Sequence, residues 1–173
     1  SNHNYFTTQQ IGYTTPDCIN TTHKWTLYNE LPELQMVVNR YAKMVASANP
    51  VIVDANGVPV ERVPEWIQSL IDRPNGMQTW GNLLYMMAIN KCVTNNILVY
   101  APKGSLGNIQ ALTPLAWNNV KVVGTGKSLR QIDKNGFIKE FQIPTNQAGK
   151  FESFTPDEVV YIAEPDGINI FNT

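Results

Sequence analysis

Between Arg73 and Val123 the hydrophobic period of this chain passes from that of a long helix to that of short strands, and that change limits the folds open to it. Arg73-Pro74-Asn75-Gly76 is a turn. The apolar positions after it predict a helix over 77–93, with Trp80, Leu83, Leu84, Met87, Ala88 and Cys92 on one face and Met86 and Ile89 widening it. A helix apolar over so much of its circumference is buried on most sides. Leu84→Asp is therefore expected to unfold the domain. After Thr94-Asn95-Asn96 the pattern becomes that of short strands, predicted at Ile97–Tyr100, Ile109–Leu112 and Val120–Val123. A glycine loop and a Leu112-Thr113-Pro114-Leu115 corner separate them. A buried helix feeding such strands calls for an α+β fold, with N-terminal helices packed on a mostly antiparallel, hairpin-rich sheet.

The flanking sequence extends this plan. Leu34, Val37, Val38, Tyr41, Met44, Val45 and Ala48 recur at helical spacing and predict a helix over 33–48. Pro32 suits its first turn, and Asn49-Pro50 ends it. Val51–Val53 and Val58–Val60 flank Asp54-Ala55-Asn56-Gly57, a hairpin signal. Val63, Trp66, Ile67, Leu70 and Ile71 mark a short helix, with Trp66 and Trp80 read as core. Arg130–Asp133 and Phe137–Ile143 flank a second hairpin turn at Lys134-Asn135-Gly136, residues 144–150 form a polar loop, and Glu158–Ile162 is the last strand. Residues 1–30 lack a helical period and read as an extended N-terminal arm. Residues 31–173 read as a single α+β domain, truncated where the chain stops at Thr173 without a closing element.

Composition excludes several function classes. The net charge of −1 over 173 residues supplies no global basic field for nucleic acid. No apolar run approaches the roughly 20 residues needed to span a bilayer. The two cysteines, Cys18 and Cys92, have no zinc spacing. Cys92 reads as a buried small hydrophobe and Cys18 as a free thiol, and a reduced, cytosolic setting is the default.

The motifs point away from chemistry. Gly124-Thr125-Gly126-Lys127-Ser128 ends like a phosphate-binding loop. The pattern needs a glycine five residues before Gly126, where Lys121 stands, and a helix afterwards, where a hairpin is predicted. A flexible turn between strands is the better reading. His3 and His23 lie in the arm away from any carboxylate cluster, and a Cys18–His23 dyad lacks a third group to orient it. Asp54, Asp133, Asp157, Glu158 and Asp166 all sit in turns, and Asp54–Gly57 lacks the alternating ligands of a calcium loop. The expectation is no catalytic residue, no cofactor-binding residue, no metal ligand and no cofactor.

The order of elements carries what single residues do not. The helix at 33–48 followed by Asn49-Pro50-Val51-Ile52-Val53, the short helix leading to Arg73-Pro74-Asn75-Gly76, and the helix at 77–93 come in sequence. Asn95–Tyr100, then Leu112-Thr113-Pro114-Leu115 with Val120–Val123, then Glu158–Ile162 follow. In this order and spacing, over about residues 33–165, the chain resembles the N-terminal wing region of tailed-phage portal proteins of the HK97-like kind. Two positions depart from the family pattern: Asn95 stands where the family has glycine, and Tyr161 where it has histidine. The family step that precedes the stem helix is not reached before Thr173.

The resemblance implies a non-enzymatic assembly protein of a phage or prophage, part of a portal at the head–tail connector vertex. It implies a dodecameric ring of the full-length protein, with DNA passing through the channel during packaging and ejection. Terminase, capsid or scaffold, and head–tail adaptor proteins would be its partners. The setting would be the virion, and the host cytoplasm during assembly. No specific DNA-binding site and no membrane contact are expected. The alternatives are a generic α+β virion or binding module unrelated to portals, and a nucleotide-binding protein using Gly124–Ser128.

Overall fold

A computed structural model describes residues 15–117, 120–126, 136, 138–145, 147 and 149–163, with side chains from residue 23 onward. Four helices precede six strands among these residues: α1 (Thr15–Glu30), α2 (Pro32–Ala46), α3 (Glu65–Asp72), α4 (Trp80–Thr94), β1 (Asn96–Tyr100), β2 (Thr113–Leu115), β3 (Lys121–Gly124), β4 (Ile138–Pro144), β5 (Phe151–Phe154) and β6 (Val159–Ala163). The α+β class expected from the sequence is the one observed.

The helical layer is organised by α4, which packs on α2, α1, β1 and β2. Thr79 starts it by accepting the Asn82 N–H on its hydroxyl at 3.3 Å. Leu83 and Ala88 are its buried apolar residues, and Val38 and Ala42 are those of α2. Asn39 on α2 accepts hydrogen bonds from Tyr28 of α1 at 2.8 Å and from Tyr85 of α4 at 3.0 Å, so one carboxamide oxygen ties three helices together. Burial raises the Tyr28 pKa above its ordinary value, as does Tyr85 nearby. At the other end of the pair, a Cβ on Gly81 would stand 3.1 Å from the Ala46 carbonyl oxygen. The Asn39–Tyr85 and Ala46–Gly81 approaches together set α2 and α4 antiparallel.

Two antiparallel three-stranded sheets follow, ordered β2-β1-β6 and β3-β4-β5. In the first, Leu98 pairs with Leu115 on one side and Tyr161 on the other. In the second, Phe141 pairs with Val122 and Phe154. Leu98, Trp117, Val120, Val122 and Phe141 form one buried cluster drawn from both sheets. Tyr161 stacks on Trp117 at 5.3 Å between ring centroids with an interplanar angle of 10°, and meets Phe141 at 5.2 Å.

The passage from α4 to β1 accounts for both departures from the resembled pattern. Asn95 has φ 63°, the left-handed conformation that glycine adopts most readily and that asparagine tolerates best after it. Lys91 Nζ donates to its Oδ1 at 2.8 Å. Tyr161 reaches the same corner, donating its hydroxyl to buried Asn96 Oδ1 at 3.1 Å. Asn95→Gly should leave stability nearly unchanged. Asn95→Val should lose about 1–2 kcal/mol, because a β-branched side chain crowds the backbone there, and paired urea melts of the two variants read the difference.

Several expectations are corrected. Residues 15–30 form helix α1 rather than an extended arm, while residues 1–14 lie outside the described residues. Its apolar residues are not periodic, and contact with α2 and α4 supplies what local pattern does not. No named strand covers Ile109–Leu112: Ile109 makes one bridge to Lys103, and the strand falls on Thr113–Leu115, the presumed corner. The Leu112 N–H is spent on the Pro74 carbonyl at 2.6 Å, so pairing with β1 starts one residue later. Pro114 is tolerated because β2 is an edge strand. Strand β5 went unread because its Phe-Glu-Ser-Phe sequence is short and half polar. The hairpin expected at 51–60 is present but short, with one bridge, Val53 to Pro59, between the Val60–Ile52 and Asp54–Val58 backbone hydrogen bonds. Cys92 is exposed, not buried, Trp66 is 39% exposed rather than core, and Leu84 is half-buried beside Leu83 at 1%. The hairpin expected at Lys134-Asn135-Gly136, with Arg130–Asp133, lies almost wholly outside the described residues; Gly136, with φ 70°, is the exception.

Candidate interaction surface

Among the described residues, those weighed for chemistry stand apart from one another. Gly124 closes β3, paired with Ile138, and Gly126, two residues beyond the strand, takes a left-handed φ of 70°. Lys127, Ser128, Asp133 and Asp166 lie outside the described residues, as do His3 and the Cys18 side chain. His23 is exposed on α1. Partial burial raises the Cys92 thiol pKa, with Lys91 pulling the other way, and a thiol held protonated is a poor nucleophile. Among the described residues no group of three or more His, Cys, Asp or Glu side chains could hold a metal ion. No described helix is long and apolar enough to cross a membrane.

Two turn carboxylates, Asp54 and Glu158, bind groups of their own turns. Asp54 Oδ1 accepts the Val58 N–H at 2.9 Å and the Asn56 N–H at 2.8 Å. Those bonds hold its pKa below the ordinary value. Glu158 Oε2 accepts both the N–H and the hydroxyl of Thr155, each at 2.8 Å, with the same consequence. A lowered folded pKa means the contribution is complete above the unfolded carboxylate pKa and is lost as pH falls through the folded value. The Val58 and Thr155 amide resonances should therefore titrate with midpoints below those of ordinary carboxylates, and midpoints at or above them would contradict these turns.

What the surface does offer is apolar. Met36 and Met44 on α2 are each 67% exposed, Val37 is 63% and Tyr41 is 50%. The helix carries two apolar stripes: Val38 and Ala42 are buried, and the second stripe faces outward with Arg40 and Lys43 exposed beside it. A shallow hollow lined by Met36, Arg40, Lys43, Met44 and Ser47 runs along this outer face. The sequence places Val37, Val38, Tyr41 and Met44 on one apolar face, and the structure divides that face between core and surface. The available signal was width, since with Met36 these apolar positions cover more of the helix than a single packing partner can bury. On α3, Leu70 is buried while Glu65, Trp66, Gln68, Ser69 and Asp72 are exposed.

No family model and no curated protein matches this chain. Solved structures share its fold. A chain in the neck of an empty gene transfer agent particle, computed with C6 symmetry, aligns with TM-score 0.66 and 17% identity over 88% of this chain and 38% of that one. A chain in the virion of the native gene transfer agent particle gives TM-score 0.62 and 17% identity over 87% and 36%. A chain in the native particle's neck, computed with C12 symmetry, gives TM-score 0.62 and 16% identity over 89% and 38%. The chain thus spans less than two-fifths of the length of these structural relatives. What is shared is the arrangement of helices and small sheets.

Proposed function

We propose that this chain is a non-enzymatic structural component of the neck of a phage-like particle, and specifically the wing region of a portal subunit. The observation that carries this reading is the alignment of 88% of the chain, at TM-score 0.66, with a chain of a particle neck. The order of sequence elements points the same way independently of the coordinates. The dispersed, turn-bound carboxylates and the exposed apolar faces fit a protein that buries surface against partners. In the full-length protein the subunits form a dodecameric ring through whose channel DNA is packaged and ejected. Terminase docks on the ring during packaging, capsid or scaffold surrounds it, and head–tail adaptors follow. The protein then resides in the virion, and in the host cytoplasm during assembly. Electron microscopy of the full-length gene product should show rings with a central channel; a monomer at every concentration would refute the reading.

A further inference from the structure

We propose that the outer face of α2 seats against α3 of a second copy of this chain. The proposal rests on the neck reading only for closure of the resulting contact into a ring. The two surfaces match in length, in charge and in apolar character. Met36, Arg40, Lys43 and Met44 follow one another at spacings of four, three and one, which places them on one side of α2. From Met36 to Met44 the helix rises about 12 Å. Helix α3 has eight residues, which is also about 12 Å.

Glu65 and Asp72 stand seven residues apart, two helical turns, so both lie on the outer face of α3, opposite buried Leu70. Gln68 Nε2 donates to Asp72 Oδ1 at 2.9 Å and fixes that carboxylate on the same face. Trp66 edges the face with 39% of its surface open. Between Met36 and Met44 the α2 face thus carries two cations among methionines, with Glu33 exposed one turn before them, and the α3 face carries two carboxylates, with the indole on the flank nearer Leu70. Methionine adapts its shape to an aromatic surface, and an Arg or Lys cation is attracted to the face of an indole. Among the described residues α2 packs chiefly on α4 and α1, and its outer side is exposed.

A contact between two different patches is heterologous. It propagates head to tail, and closes into a ring when the rotation between copies permits. Arg40 and Lys43 facing their own copies, or Glu65 and Asp72 facing theirs, would repel, so the charges favour α2 against α3 over either face against itself.

Sedimentation velocity of the 173-residue chain over a concentration series tests this. The expected result is a mass that rises with concentration and falls back with salt. Arg40→Glu with Lys43→Glu should weaken association at least about tenfold. Adding Glu65→Lys and Asp72→Lys to that chain should restore it to within about threefold of the parent. Thermal melts matching the parent would confirm that the surface changes leave the fold intact. A parent that stays monomeric throughout overturns the proposal, and so does a fourfold variant no stronger than the twofold one. Rings of full-length protein that survive the α2 swap would defeat this pairing and leave the neck reading standing. Charge-swap rescue without any closed ring would do the reverse.

Discussion

Leu83→Asp is expected to abolish the folded state. Leu83 is 1% exposed and belongs to the helix on which α1, α2, β1 and β2 all pack. Truncating such a leucine costs about 2–5 kcal/mol before any charge is considered. A carboxylate at the same place must either be desolvated without a partner or be protonated, and each route adds several kcal/mol. Domains of this size are stable by about 5–15 kcal/mol, so the sum is enough to unfold the chain. Circular dichroism should show loss of the cooperative thermal transition. Leu84→Asp, one residue along and half-buried, should leave a transition at reduced temperature. If the two variants behaved alike, the rotation of α4 about its axis described above would be wrong.

Phe141→Ala is the corresponding test of the strand half. Phe141 is 1% exposed, sits in the central strand between β3 and β5, and touches the Tyr161 ring, which also stacks on Trp117. The expected loss is about 3–5 kcal/mol from lost burial and the cavity left behind. Trp117 is 4% exposed, so its fluorescence should report the change directly, with the folded-state emission shifting to longer wavelength as the stack loosens. Phe154→Ala lies at the edge strand with 7% exposure and should cost less. Equal losses would mean that the Phe154–Tyr100 contact, at 5.0 Å between ring centroids, joins the two sheets as strongly as the Phe141–Tyr161 contact does.

How far the sequence could be read depended on where each element draws its stability. Helices α2, α3 and α4 were legible because apolar spacing and proline signals act within a few residues. Helix α1 was not, since its support comes from Asn39 and the sides of two other helices. Strands β1, β3, β4 and β6 carry β-branched and aromatic runs and were found. Strand β5 was missed because its Phe151-Glu152-Ser153-Phe154 pairing with β4 is visible only across the sheet. β2 was displaced because a single hydrogen bond from Leu112 to Pro74, 38 positions earlier, decides where the ladder begins.

The interaction surface was hidden for a related reason. Periodicity identifies an apolar stripe but does not say whether it has a partner in the same chain. Val38 and Val37 look alike in sequence, yet one is 6% exposed and the other 63%. Turn-forming carboxylates betray themselves in the sequence by their neighbours. Asp54 and Glu158 behave accordingly.

The short junction at Pro74 and Asn75 has a mechanical consequence. Asn75 Oδ1 accepts the Met77 and Gln78 N–H groups, each at 2.9 Å, just ahead of α4. Its Nδ2 donates to the Leu112 carbonyl at 2.8 Å, just ahead of β2, and the Leu112 N–H returns to Pro74. The entrances of a helix and a strand are thereby clamped to each other across a few atoms, beside a fully buried proline ring. A pull applied to the strands reaches the helices through that clamp with little slack, so the two halves move as one stiff lever rather than about a hinge.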